Sequence, residues 1–188
     1  MKIENNVLRW VDSSDIIDGH FDCPEEVTHI DSWAFYNREV ISANLRNVTC
    51  IEGSAFYQCP IKNISMPNVI DIDHETFGGC YALTSVVLPN VPKVDNLLQK
   101  LLNAVKDGAK LNMRMWHTCS TVHCHAGWVV RIAKAFELEK QFGTAIAALA
   151  IYTANGYSHV SMGDFFLSDR EAFFKIKEAV EKYGNGFI

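Results

Sequence analysis

Val27-Thr28-His29-Ile30 recurs as Val48-Thr49-Cys50-Ile51, as Val69-Ile70-Asp71-Ile72 and as Val91-Pro92-Lys93-Val94, with starts 21, 21 and 22 residues apart. Other landmarks keep the same phase. Ala34-Phe35-Tyr36 coincides with Ala55-Phe56-Tyr57 and Thr76-Phe77-Gly78, and Leu45-Arg46-Asn47 with Met66-Pro67-Asn68 and Leu88-Pro89-Asn90. A period this short cannot bury its own apolar side. Each unit has to stack on its neighbours, which makes this part of the chain a solenoid of three full repeats.

The repeat also sorts its residues into inside and outside. Val27, Ile30, Phe35, Val40, Ala43 and Leu45 are the inward positions of the first unit, and the second and third units place apolar residues at the same phases. Phe35, Phe56 and Phe77 are therefore expected to stack as one buried ladder. Cys59 and Cys80 follow the Phe at equal phases and read as small buried thiols. Strand alternation turns Ser42, Asn44, Asn63, Ser65, Ser85 and Val87 outward, and this small, uncharged face is the candidate binding surface. Residues 1–26 break the period, but Ile3, Val7, Leu8, Trp10 and Val11 suit a cap over the first unit.

The units resemble leucine-rich repeats of the BspA type, whose Ala-Phe, following Cys and closing Leu-Pro are met by Ala55-Phe56-Tyr57-Gln58-Cys59 and by Cys80 through Pro89. The first unit departs from that pattern, with Arg38 in place of the Cys and Arg46 in place of the Pro. The resemblance covers about residues 27–94. It implies a ladder of short parallel strands used to bind other macromolecules, and no catalysis.

Past Val94 the apolar period becomes helical. Leu97, Leu98, Leu101, Leu102 and Val105 share a face, with Asn96 and Gln99 as a capping pair. Lys110 to Ser120 shows no clear period and reads as a link. Thr121 suits the N-cap of a helix reaching Phe136 or Glu139, with Val129, Ile132, Ala133 and Phe136 inward. The segment from Phe142 to Ala154 is apolar all round, as the central helix of a bundle would be. Ser168-Asp169-Arg170-Glu171 is a capping box opening a last helix, with Phe173, Ile176, Val180 and Tyr183 expected inside. The fold class is thus α+β, a leucine-rich-repeat solenoid with its N-terminal cap over 1–95 and an α-helical domain over 96–188.

The chemistry-bearing stretch of the second half is Trp116-His117-Thr118-Cys119-Ser120-Thr121-Val122-His123-Cys124-His125-Ala126-Gly127-Trp128. A helix capped by Thr121 would put Cys124 in its first turn, where the helix dipole favours a thiolate and His123 could act as base, making Cys124 and His123 the candidate catalytic pair. His117, Cys119, His123, Cys124 and His125 are all zinc-competent donors, although a second, separated donor pair is missing. A Cys119–Cys124 disulfide and a purely structural role, with the Trp side chains filling core volume, are also open. Similar Thr-x-His-Cys-x-Ala-Gly-Trp stretches occur in bacterial proteins without a described function, which leaves the mechanism open. No cofactor is implied, zinc being the one the donors would suit.

With 188 residues, 48% of them hydrophobic, and a net charge of −5, the chain is globular, and its Lys and Arg are not clustered as a nucleic-acid surface requires. The start Met1-Lys2-Ile3-Glu4-Asn5-Asn6 has no apolar run behind its charge, so a cytoplasmic location is expected. Thr144 to Ala154 is too short for a bilayer, which needs about 20 apolar residues. No complete catalytic signature is present. The expectation is a non-enzymatic recognition module with a protein partner, the alternative being a small thiol- or zinc-dependent enzyme with its site at Trp116–Trp128.

Overall fold

The computed structural model describes residues 1–73, 75–106, 110–114, 117–119 and 122–184, with 110, 117–119 and 122 described in their backbone alone. The chain divides into two compact units, Met1–Asn90 and Val91–Ile188.

The first unit is built from pairs of very short strands. In chain order they are β1 (Lys2–Glu4), β2 (Val7–Trp10), β3 (His20–Asp22), β4 (His29–Ile30), β5 (Ser42–Asn44), β6 (Cys50–Ile51), β7 (Asn63–Ser65), β8 (Asp71–Ile72) and β9 (Ser85–Val87). They form two sheets, β1-β2-β4-β6-β8 and β3-β5-β7-β9, parallel throughout except where β1 pairs antiparallel with β2. One strand per sheet per turn is the geometry of a solenoid, and in-register pairing stacks like on like. Phe21, Ala43, Ile64 and Val86 lie in one inward column, and Leu8, Ile30 and Ile51 in another.

The expected aromatic ladder is present. Phe35 and Phe56 stack at 4.3 Å and 13°, Phe56 and Phe77 at 5.4 Å and 15°. Burial of such rings is the main apolar contribution of each turn. Cys59 and Cys80 are buried as read, and each thiol donates to the carbonyl of the Phe in the preceding turn, Cys59 Sγ to Phe35 O and Cys80 Sγ to Phe56 O, both at 3.0 Å. Arg38, at the Cys phase of the earlier turn, does the same work with a longer arm: its Nε donates to Val11 O at 2.6 Å. The departure from the repeat pattern at Arg38 therefore keeps the inter-turn bond.

Residues 7–22 are not a cap but a further turn. β2 pairs with β4 and β3 with β5 at an offset of 22 residues, Leu8 against Ile30 and Phe21 against Ala43. The sequence hides this turn because no aromatic takes the place of Phe35: the 22-residue offset falls on Ser13, while Val11, whose N donates to Ala34 O as Phe35 N does to Ala55 O, fills the buried position. Phe21 reaches over from β3 instead, meeting Phe35 edge-on at 4.8 Å. Only the antiparallel β1 closes that end of its sheet.

The second unit holds five α-helices among the described residues: α1 (Leu97–Lys106), α2 (His125–Ala133), α3 (Phe136–Phe142), α4 (Thr144–Ala154) and α5 (Asp169–Tyr183). The strands β10 (Lys110–Leu111), β11 (His117–Cys119) and β12 (Val122–His123) form a small sheet in the order β10-β12-β11. α4 is sealed from Ile146 to Tyr152, as a helix apolar on every side must be, and α2 and α3 pack on it. α1 packs on α5. No helix among the described residues is long and apolar enough to cross a membrane.

Several local expectations fail, each for a definable reason. Strand β12 occupies Val122–His123, so the helix opens at His125 with Cys124 as its N-cap, and Cys124 is not in the first turn; Thr121 lies outside the described residues. The helix stops at Ala133 because Lys134 turns left-handed (φ 53°), which leaves Phe136 on α3 about half exposed, at 48%. Asn96 is itself left-handed (φ 53°), and Gln99 bonds forward to Asn103 (2.9 Å), so they make no capping pair. The Ser168 capping box forms as read, but α5 buries Ala172, Ile176 and Ala179 while Phe173, Val180 and Tyr183 stay half-buried. Lys110 to Ser120, read as a plain link, contributes two strands of the small sheet.

Candidate functional site

The outward residues of β3, β5, β7 and β9 form two columns, His20-Ser42-Asn63-Ser85 and Asp22-Asn44-Ser65-Val87. Ser42, Asn44, Asn63, Ser65, Ser85 and Val87 thus share one surface, from the half-buried serines to Val87 at 43% exposure. His20 and Asp22 extend it by a row that the sequence reading missed; the signal was their 22-residue offset from Ser42 and Asn44. This row carries the charge. His20 Nδ1 is 2.7 Å from Ser42 Oγ, His20 Nε2 is 3.3 Å from Asp22 Oδ2, Asn44 Nδ2 donates to Asp22 Oδ1 at 3.3 Å, and Arg46 Nη2 lies 3.4 Å from the same oxygen. A hydroxyl, an imidazole and a carboxylate are linked in series here. They lie in water, however, where such a chain lacks the desolvation that strengthens acid–base groups in a catalytic site. The row works as a polar, hydrogen-bonding edge of a flat surface.

In the second unit, Trp116, Ser120 and Thr121 and the side chains of His117 and Cys119 lie outside the described residues. The remaining donors diverge. His123 is buried and meets Trp128 edge-on, with ring centroids 4.7 Å apart. Cys124, 2% exposed, accepts a hydrogen bond from Gly127 N at 3.3 Å, an N-cap made by sulfur. Burial pushes its thiol up, against the opposing pull of the cap amides. His125 turns the other way: its Nε2 is 2.7 Å from Tyr152 OH, and its ring meets Phe165 edge-on at 5.3 Å. Complete burial lowers its pKa to about 4, so it is a neutral imidazole at pH 7. Among the described residues, no group of three or more His, Cys, Asp or Glu side chains is placed to hold a metal ion.

A polar cluster that the sequence did not reveal surrounds His125. Tyr152 from α4, His159, Asp164 from the 3-10 turn Met162–Phe166, and Lys175 from α5 line one small cavity with it. Asp164, 6% exposed, accepts from Ser161 N at 2.8 Å and from Lys175 Nζ at 2.6 Å, so its charge is matched. The cavity measures about 30 Å³, enough for water and too small for an organic substrate. These residues lie up to 50 positions apart, on elements that only packing brings together, and no local motif marks them. A wider groove of about 620 Å³ is walled by Asn112–Arg114 and Phe166–Arg170, with none of the buried histidines on its wall.

Residues 15–103 match the family model of the BspA type leucine-rich repeat region, in six copies. No curated protein and no solved structure matches the chain. The solenoid is a BspA-type leucine-rich repeat region, and such repeats generally mediate protein–protein recognition.

Proposed function

We propose that the protein is a non-enzymatic recognition module that binds a protein partner through the outward face of β3, β5, β7 and β9. The observation that carries this reading is the unbroken parallel register of the four strands, which holds eight small or polar side chains in two straight columns. A flat array of hydroxyl and amide groups on a rigid backbone offers donors and acceptors at fixed spacing with little entropy left to lose on binding. Asn63 and Ser65 stand in the middle of the array, where water is most easily excluded. Rim positions contribute less than central ones.

The test begins with cross-linking in cells to identify a partner, followed by reconstitution of the complex from purified components. Asn63→Arg combined with Ser65→Arg should weaken that complex by at least about 100-fold, as expected for charges forced into the centre of an interface, with the melting temperature unchanged. A complex that tolerates both substitutions does not use this face. Should the purified protein instead bind one equivalent of zinc through cysteines, measured by metal analysis and thiolate absorption, the alternative of a zinc-dependent enzyme would take precedence.

A further inference from the structure

The solenoid carries a second patch, on the arc leading from β4 to β5 and from β6 to β7. Three aromatic side chains meet there. Trp33 lies edge-on to Tyr36 at 5.3 Å and tilted against Tyr57 at 5.6 Å, joining two turns of the solenoid. Trp33 and Tyr36 are 52% and 50% exposed. Gly78 occupies the phase of Tyr36 and Tyr57 in the next turn, and a Cβ there would come within 2.9 Å of the Tyr57 ring. The missing side chain is what allows that ring to lie across the third turn.

Neither the turn nor the core explains the indole. The phase of Trp33 is left-handed in three successive turns, with φ of 62° at Trp33, 59° at Ser54 and 58° at Glu75. Serine and glutamate meet that demand with a small or flexible side chain. For a bulky residue the conformation is disfavoured, and here about half of the indole is left exposed in return. A strained and exposed aromatic is what a binding surface retains.

The charge around the platform selects the ligand. The solenoid unit, residues 1–90, has thirteen Asp and Glu against five Lys and Arg, whereas residues 91–188 have nine against twelve. Asp31 and Glu52 occupy one phase, two residues before Trp33 and Ser54, and Glu75 shares the phase of Trp33 itself; Glu52 and Glu75 are exposed. Two nearby basic residues are already engaged, Arg9 by Asp31 at 2.9 Å and Arg38 by the Val11 carbonyl at 2.6 Å, while Lys62 stands exposed just before β7. Aromatic faces beside carboxylates suit a guanidinium or ammonium group. The solenoid unit shows such a pairing internally, where Lys2 Nζ sits 4.8 Å over the exposed Trp10 ring.

We propose that the Trp33-Tyr36-Tyr57 platform docks a basic segment of a partner protein, with one cation over the Trp33 ring and its flanking charges met by Glu52 and Glu75. The proposal concerns a different surface from the β3-β5-β7-β9 face and does not depend on it. The test uses the full chain and a fluorescently labelled hexa-arginine peptide, followed by anisotropy, with hexa-glutamate as the control. Trp33→Ser places at this phase the residue that the next turn already uses, so the turn is kept, and Trp33→Tyr keeps an aromatic face. The serine variant should bind at least about tenfold more weakly and the tyrosine variant within about threefold of the parent, as a cation–aromatic contact predicts. Glu52→Gln with Glu75→Gln should weaken binding to a similar degree. Glu25→Gln with Glu26→Gln removes the same charge elsewhere, and Asn63→Ala with Ser65→Ala alters the sheet face; both should stay near the parent. Equal losses in the two charge-matched pairs would mean that bulk charge attracts the peptide, and the proposal fails. It fails also if Trp33→Ser binds like the parent, if the parent does not bind hexa-arginine, or if sedimentation shows a self-associating parent that Trp33→Ser makes monomeric.

Discussion

The Nε2 atom of His125 lies 2.7 Å from the hydroxyl of Tyr152, with both side chains sealed inside the helical unit. Burying that imidazole costs the protein acid stability. Burial lowers the His125 pKa from 6.5 to about 4, so the unfolded chain takes up a proton that the folded chain refuses. The stabilisation is fully present above pH 6.5 and is lost as the pH falls from there to about 4. We expect on the order of 3 kcal/mol of lost stability across that window from this residue. His125→Gln keeps a hydrogen-bonding side chain but cannot titrate, and its melting temperature should fall less steeply between pH 7 and pH 4. Parallel pH profiles for the two proteins would show that another group is responsible.

Phe56 stacks on a ring on each side, Phe35 at 4.3 Å and Phe77 at 5.4 Å. Phe56→Ala opens a cavity in the middle of the ladder and should cost about 3–5 kcal/mol in denaturant unfolding. A loss below about 1 kcal/mol would show that the turns do not depend on the ladder for cohesion.

Thiol reactivity should divide the cysteines. Burial pushes the Cys59 thiol up to about 11 and those of Cys23 and Cys80 up to about 12, so almost no thiolate exists at pH 8. Cys50 is only half-buried. Brief alkylation of the native protein, mapped by mass spectrometry, should label Cys50 well ahead of Cys23, Cys59, Cys80 and Cys124. Rapid labelling of Cys124 would favour the reactive-thiol reading of that residue.

Lys175 is the cation that matches the buried Asp164, at 2.6 Å, but the lysine itself is 53% exposed. Lys175→Met removes the partner and leaves the carboxylate with its remaining bonds. The full cost of stranding a buried charge is about 3–5 kcal/mol; solvent access at the lysine reduces it to roughly 1–3 kcal/mol here. Asp164→Asn with Lys175→Met should recover part of that loss, and a double variant no better than the single one would refute the pairing.

The parts of this molecule that were legible in its sequence are those set by short-range periodicity. A 21-residue period with Phe35, Phe56 and Phe77 in phase admits one stacking, and the inward and outward columns follow from strand alternation. The first turn escaped because its aromatic, Phe21, sits on a strand and not in the Ala-Phe turn, so the phase marker is missing while the strand offset is kept. In the second half, four of the helices were visible from apolar spacing, with α3 read as the end of the helix before it, and Cys124 was misplaced by one element. A two-residue strand such as β12 has too few residues for alternation to register against a helical pattern. The cluster of His125, Tyr152, His159, Asp164 and Lys175 is tertiary in origin, and Tyr152 in particular is one apolar-looking residue in a uniformly apolar helix.

The thiol bonds that cross from one turn to the next, Cys59 on Phe35 O and Cys80 on Phe56 O, repeat with the period itself, as do the in-register strand pairs. A duplicated 21-residue segment inserted between two turns would therefore find these partners already in place. Such an insertion lengthens the outward face by one row while leaving the spacing within each row unaltered. The β1 edge of the first sheet allows no such growth, since β1 runs antiparallel to β2 and ends the parallel series there. The solenoid is a ruler with one fixed end, and its reach can be adjusted by whole turns from within.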